Sequence, residues 1–172
     1  MSRLIQDPPS HERPTREQLL EDLQHSQSQV VRLLESMADV QDWQPEPAEW
    51  SFRLLAAHLA TVEQTCHFQR VMGIASGDTP YFGPYIHRNI ALAHADLRDS
   101  LQQWIAARRR LLGFVAGLSS AQMTYIGVHA AVGPMTVLDA LQEILEQDQG
   151  NLRHVRQLIL AYYEEALQTQ RV

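Results

Sequence analysis

The sequence holds a single cysteine, Cys66, in 172 residues. No intrachain disulfide can form, which fits a reducing, cytoplasmic setting. No stretch approaches the ~18 consecutive apolar residues of a membrane span. The opening MSRLIQDPPSHERP is polar and Pro-rich, without the apolar region of a signal peptide. Positive charge is in deficit, with a formal net charge of −6, so general attraction to nucleic acid is not expected. One basic run exists, Arg108-Arg109-Arg110. Consecutive residues on a helix point in different directions, so this run reads as a solvated face rather than a phosphate cradle. There is no strand-like alternation of useful length, no internal repeat and no low-complexity tract. A Gly-rich phosphate loop, a nucleophile elbow, CxxC and HExxH are all missing.

What remains is a chain of ordinary globular composition, 45% apolar and 20% charged. Its length suits one domain that buries roughly 70% of its unfolded surface. Residues 1–13 read as a flexible N-terminal segment and 14–168 as the domain. Pro14 and Thr15, with Gln18 at capping-box spacing, open a helix whose apolar members recur to about Val40. DWQPEPAEW (42–50) is an extended connection. Ser51 caps a second helix through Leu54, Leu55, Leu59, Val62, Cys66, Phe68 and Met72. GIASGDTPYFGPYIH (73–87) is too rich in Gly and Pro for regular structure, and so long a connection suggests a binding loop or lid. Within it Tyr81, Phe82 and Tyr85 either close over a pocket or anchor the loop. A third helix is expected from Ile90 or His94 to Val115. Thr136, with Asp139 three residues on, starts a last helix that ends near Leu167. The fold class is therefore all-α: a four-helix bundle with a long loop between helices 2 and 3.

Projection at about 100° per residue exposes two anomalies. His58 falls near the centre of the apolar face of the second helix. Asp148 falls within the apolar stripe formed by Leu141, Leu145, Leu152, Val155 and Ile159. A buried carboxylate has to be paired or protonated, which makes His58 and Asp148 plausible mutual partners. Such a pair is either a structural core contact or a site in which Asp148 supports His58 from behind. Gln147, Asn151 and His154 share a flanking face and form either a ligand-binding row or plain helix surface. Cys66 lies two turns beyond His58, about 11 Å along the axis, and reads as a small buried hydrophobe. Glu63 sits off the apolar centre as a surface or inter-helix partner. His87, His94 and His129 have no partner at ligand spacing and read as surface or loop residues. Trp104, Leu111 and Leu112 suit either a core or an interface.

Three stretches resemble the DinB-like helical family, also called DNA-damage-inducible or YfiT-like metalloenzymes, over about residues 15–165. EWSFRLLAAHLATVE (49–63) is similar to the family's Trp-Ser start and the helix that carries one metal-binding His, here His58. Gly-Pro-Met-Thr (133–136) matches the turn that opens the last helix. That helix usually carries His-Asp-x-x-His. The resemblance implies a divalent cation, zinc or nickel, held by three His residues with open positions for water or thiol. It also implies a homodimer, a low-molecular-weight thiol as partner and a link to stress.

The departure falls on the ligands themselves. Aligned without a gap, the last helix keeps Asp148 but has Gln147 and Asn151 where the family has histidines. A second register places His154 on the second His and Gly150 on the first, and loses the Asp match. The ungapped register is preferred. Amide oxygens carry no charge and bind zinc or nickel weakly beside imidazole. The sequence thus favours a degenerate metal site: a polar cavity lined by His58, Gln147, Asp148 and Asn151, with His154 beside it. Such a protein would be non-catalytic or bind a small organic molecule, without a cofactor. The alternative is an active metal-dependent thiol transferase or hydrolase with a rearranged ligand set that includes His58 and His154.

Overall fold

The computed structural model describes residues 13–83 and 96–169. Most of the expected N-terminal segment, and Tyr85, His87, Ile90 and His94, lie outside the described residues. α1 (Arg16–Glu35) begins at a capping box in which Thr15 accepts from the Gln18 backbone and Gln18 accepts from the Thr15 backbone. It ends before Val40, and a 3₁₀ turn (Ala38–Val40) follows. Ser51 caps α2 (Phe52–Val62) by accepting from the Leu54 N–H. A π-helical turn (Glu63–His67) then joins α2 to α3 (Phe68–Ser76) in one continuous rod. The rod runs on through Gly73 and stops at Gly77, whose φ of 83° only glycine adopts cheaply. α4 (Leu97–Ala116) is capped by Asp96, and α5 (Val137–Thr169) by reciprocal bonds between Thr136 and Asp139. α1 packs along α5 and α2 against α4, which makes a four-helix bundle.

The helices leave a small three-stranded sheet at one place, which the absence of alternation did not announce. β1 (Tyr81–Phe82) pairs in parallel with β2 (Gly127–His129), and β2 pairs antiparallel with β3 (Gly133–Met135). Strands of two and three residues are too short to show a period. The sheet ties the end of α3 to the start of α5. Phe82 packs into the core and Tyr81 is exposed, so of the described loop aromatics one anchors and one does not. His129 is buried in β2 and accepts at Nδ1 from the Ala131 N–H, where a surface or loop position was expected.

The apolar core is split in two. One cluster contains Val30, Leu34, Leu55, Leu59, Trp104, Leu152 and Val155. The other contains Leu19, Leu23, Val71, Ile74, Leu111, Leu141 and Leu145. Between them every helical rod contributes a buried polar residue: Ser26 and Gln27 from α1, Glu63 and His67 from the π turn, Arg108 from α4 and Asp148 from α5. No helix among the described residues is long and apolar enough to cross a membrane.

Candidate functional site

The polar layer opens on one side into a cavity of about 240 Å³. His58, Leu59, Val62, Glu63 and His67 line it from the α2 rod, Trp104 from α4, and Gln147, Asp148, Gly150 and Asn151 from α5. Four of the residues singled out from sequence therefore meet: His58, Gln147, Asp148 and Asn151. His154 does not join them. Seven residues past Gln147 is about 10 Å along the helix axis, which carries it beyond the cavity although it shares the face. His58 is half-buried, with its ring edge-on to Trp50 at 4.7 Å between centroids.

Asp148 is buried as expected, at 2% exposure, but Arg108 neutralises it where His58 was expected to. Arg108 Nη1 donates to Asp148 Oδ2 at 2.7 Å and Nη2 to Oδ1 at 3.2 Å. Ser26 Oγ donates to Oδ2 at 2.7 Å. The same guanidinium forks onto Glu63, with Nε 2.6 Å from Oε1 and Nη2 2.8 Å from Oε2, and Nη1 also donates to the Leu23 carbonyl. Arg108 is 1% exposed. It is thus the keystone of the layer and no part of a solvated basic face; Arg109 and Arg110 alone are exposed. Its place was legible at helical spacing, between Trp104 and Leu111 on the buried face of α4. The charge of the residue, read together with its neighbours, concealed it.

Glu63 is fully buried and has three side-chain partners. Besides Arg108 its Oε2 accepts from Trp104 Nε1 at 3.3 Å and lies 3.2 Å from His67 Nδ1. Burial pushes this carboxyl up. The charge and hydrogen bonds of Arg108, with the bond from His67, more than offset that and hold it down at about 2. Burial and the two carboxylates act oppositely on Arg108, and the carboxylates prevail, so it stays charged.

His67 is a cavity residue that sequence reasoning missed. It is 6% exposed and lines the cavity, with Nε2 3.0 Å from Gln147 Oε1. Nine residues separate it from His58, which places the two on opposite sides of a regular helix. The π turn changes this, since the Phe68 N–H bonds back to the Glu63 carbonyl five residues earlier. One residue is absorbed, which shifts the helical phase by about 100°, and both imidazoles line the same cavity. The one signal in the sequence was Glu63-x-x-x-His67, an acid and an imidazole one turn apart.

The donor set does not suit a cation held by three imidazoles. Among the described residues no group of three His, Cys, Asp or Glu is disposed to hold a metal ion. Both cavity carboxylates are committed to Arg108. Cys66 is half-buried and 3.5 Å from Arg70 Nη2, and burial raises its thiol, so it is no ready thiolate.

Comparison with known proteins agrees with the fold. The family model described as the DinB superfamily matches residues 39–155. No curated protein matches the chain. Among solved structures, a protein described as "YfiT from Bacillus subtilis is a probable metal-dependent hydrolase with an unusual four-helix bundle topology" superposes with a TM-score of 0.72. It is 20% identical, and the alignment covers 90% of this chain and 93% of that one. At such identity the likeness is one of fold. The family match spans most of the chain and takes in α2, the π turn, α4 and the cavity-lining turns of α5: the chain belongs to the DinB superfamily.

Proposed function

We propose that this chain is a DinB-superfamily protein whose metal site is degenerate and whose cavity receives a small organic molecule. The observation that carries the reading is the fate of the cavity's ligating groups. Where the resemblance expects two imidazoles on α5, the cavity has the amides of Gln147 and Asn151. The two carboxylates beside them are neutralised by Arg108. A transition metal favours imidazole and free carboxylate over neutral amide oxygen, and a carboxylate already forked onto a buried guanidinium is a poor ligand. A cytoplasmic, stress-associated, homodimeric protein without a resident cofactor belongs to the same proposal.

The rival is a metal-dependent thiol transferase or hydrolase with a rearranged ligand set. His58 and His67, two imidazoles on one cavity, are the observation in its favour. Metal analysis of protein purified without chelator, then loaded with zinc or nickel and desalted, separates the two. The expected result is no stoichiometric metal. One bound ion per chain that disappears in His58→Ala would overturn the proposal.

A further inference from the structure

Three long polar side chains bridge α1 and α4. Arg16 Nη1 donates to the Leu118 carbonyl at 3.0 Å, Gln27 Nε2 to the Trp104 carbonyl at 3.1 Å and Arg108 Nη1 to the Leu23 carbonyl at 3.1 Å. Between the two helices, across the polar layer from the cavity, runs a groove of about 660 Å³. Leu20 and Val31 of α1 and Ile105 and Leu112 of α4 line it, each only half-buried. Gln27 lines it too, at 6% exposure. The Trp104 carbonyl only accepts, so the amide turns its Nε2 that way and its Oε1 away. That oxygen has no donor among the described residues, and a buried acceptor without a donor is costly. The groove therefore calls for a partner that brings an N–H.

The α1 wall of the groove has a twofold order. Leu20, Gln24, Gln27 and Val31 recur at spacings of four, three and four residues, which puts them on one narrow stripe. Read in either direction the stripe is apolar, glutamine, glutamine, apolar. Its charges are ordered as well. Glu21 stands at one end and Arg32 at the other, both exposed on the groove, and neither has an ion pair among the described residues. Of the other charges on the groove, Arg108 is matched by Glu63 and Asp148, and Arg109 lies on α4, off the stripe. A helix that is its own complement when reversed suits a second copy of itself, whereas a small ligand has no use for the order.

We propose that the α1–α4 groove is the contact face of a homodimer, in which two α1 helices pair antiparallel about a two-fold axis between Gln24 and Gln27. The inference names the interface of the homodimer proposed above and rests on that part of the reading. Reversal about this axis sets Leu20 against Val31 of the partner subunit and Gln24 against Gln27 of the partner subunit. The exposed Gln24 amide, which has no side-chain bond among the described residues, then supplies the N–H that Gln27 Oε1 lacks, once from each copy. Glu21 comes within two residues of Arg32 of the partner subunit, about 3 Å along the axis, which both long side chains span. Each end of the contact thus gains an ion pair.

The test is sedimentation of the full chain through the micromolar range, which should show a dimer, repeated on variants at exposed positions whose folding circular dichroism checks. Gln24→Glu aims a carboxylate at an oxygen that needs a donor, at two places in the contact, and should weaken the dimer about tenfold or more. Glu21→Arg and Arg32→Glu each set like charges against one another and should weaken it several-fold. The two together exchange the ends of the pair and should recover most of the affinity. A dimer that none of the three single variants weakens, or one that the double exchange fails to recover, would place the contact elsewhere. Either result overturns the inference and leaves the homodimeric reading intact. A chain that stays monomeric removes that reading and the inference with it, and saturable dodecanoate binding by the monomer would give the groove to an amphiphile.

Discussion

Replacing Arg108 with methionine keeps the length and apolar stem of the side chain and removes its charge. Five hydrogen bonds go with it, two to Glu63, two to Asp148 and one to the Leu23 carbonyl. Glu63 would keep its contacts with Trp104 and His67, and Asp148 its bond from Ser26, but both carboxylates would be buried without a cation. Removing one partner of a buried ion pair costs about 3–5 kcal/mol, because the charge left behind has lost both water and counterion. Domains have only about 5–15 kcal/mol in hand, so Arg108→Met should fold marginally, with a Tm lower by roughly 6–20 °C at about 2–4 °C per kcal/mol. Urea denaturation of parent and variant at neutral pH measures the loss. The deficit should narrow at acid pH. The parent loses the stabilisation of its depressed Glu63 carboxyl as pH falls, while in the variant Glu63, left with burial and no cation, gains stability by taking a proton. A partial restoration in the triple variant Arg108→Met, Glu63→Gln, Asp148→Asn would show that stranded charge, and not lost packing, is the cause. A loss below about 1 kcal/mol, or a deficit independent of pH, would refute the reasoning.

Four further outcomes are expected. Asp148→Ala strands less charge, since Arg108 keeps Glu63, and should cost about 1–3 kcal/mol; a cost equal to that of Arg108→Met would contradict the order of dependence. Acid unfolding of the parent followed by circular dichroism should draw on Glu63, whose carboxyl lies at about 2 when folded against 4.5 as a free side chain. Its contribution is present in full above about pH 4.5 and is lost as pH falls toward 2, about 3 kcal/mol in all, and Glu63→Gln should lack that component. Gly150→Ala should stabilise the protein by about 0.5–1 kcal/mol, because a Cβ there meets only the end of Arg153 at 3.8 Å. Gly127→Ala should do the reverse, since its Cβ would lie 2.8 Å from Phe82 and 2.9 Å from Ile74.

Periodicity and cap residues sufficed for the helical rods and their starts. Thr15, Ser51 and Thr136 each stand at the head of a helix because a short side-chain oxygen next to a helix-period pattern has few other uses. Burial of Asp148 was likewise legible, since an acid inside an apolar stripe follows its neighbours into the core. The meeting of His58 with Gln147 and Asn151 followed from the resemblance, which sets all three at the family's ligand positions; the direction of the helix faces left the two amides equally open to being plain surface. The partners of these groups were not legible. Which cation neutralises Asp148 depends on how α4 sits against α5, and Arg108 is 40 residues away in sequence. His67 enters the cavity through a π turn that absorbs one residue, in the same turn whose Glu63 bonds to Arg108 and Trp104, and a projection at a constant angle does not register it. Local sequence therefore determined the rods and the polar character of the cavity. Tertiary structure decided the pairing of its charges, since ion pairing acts through space between helices, whereas periodicity is a property of one helix at a time.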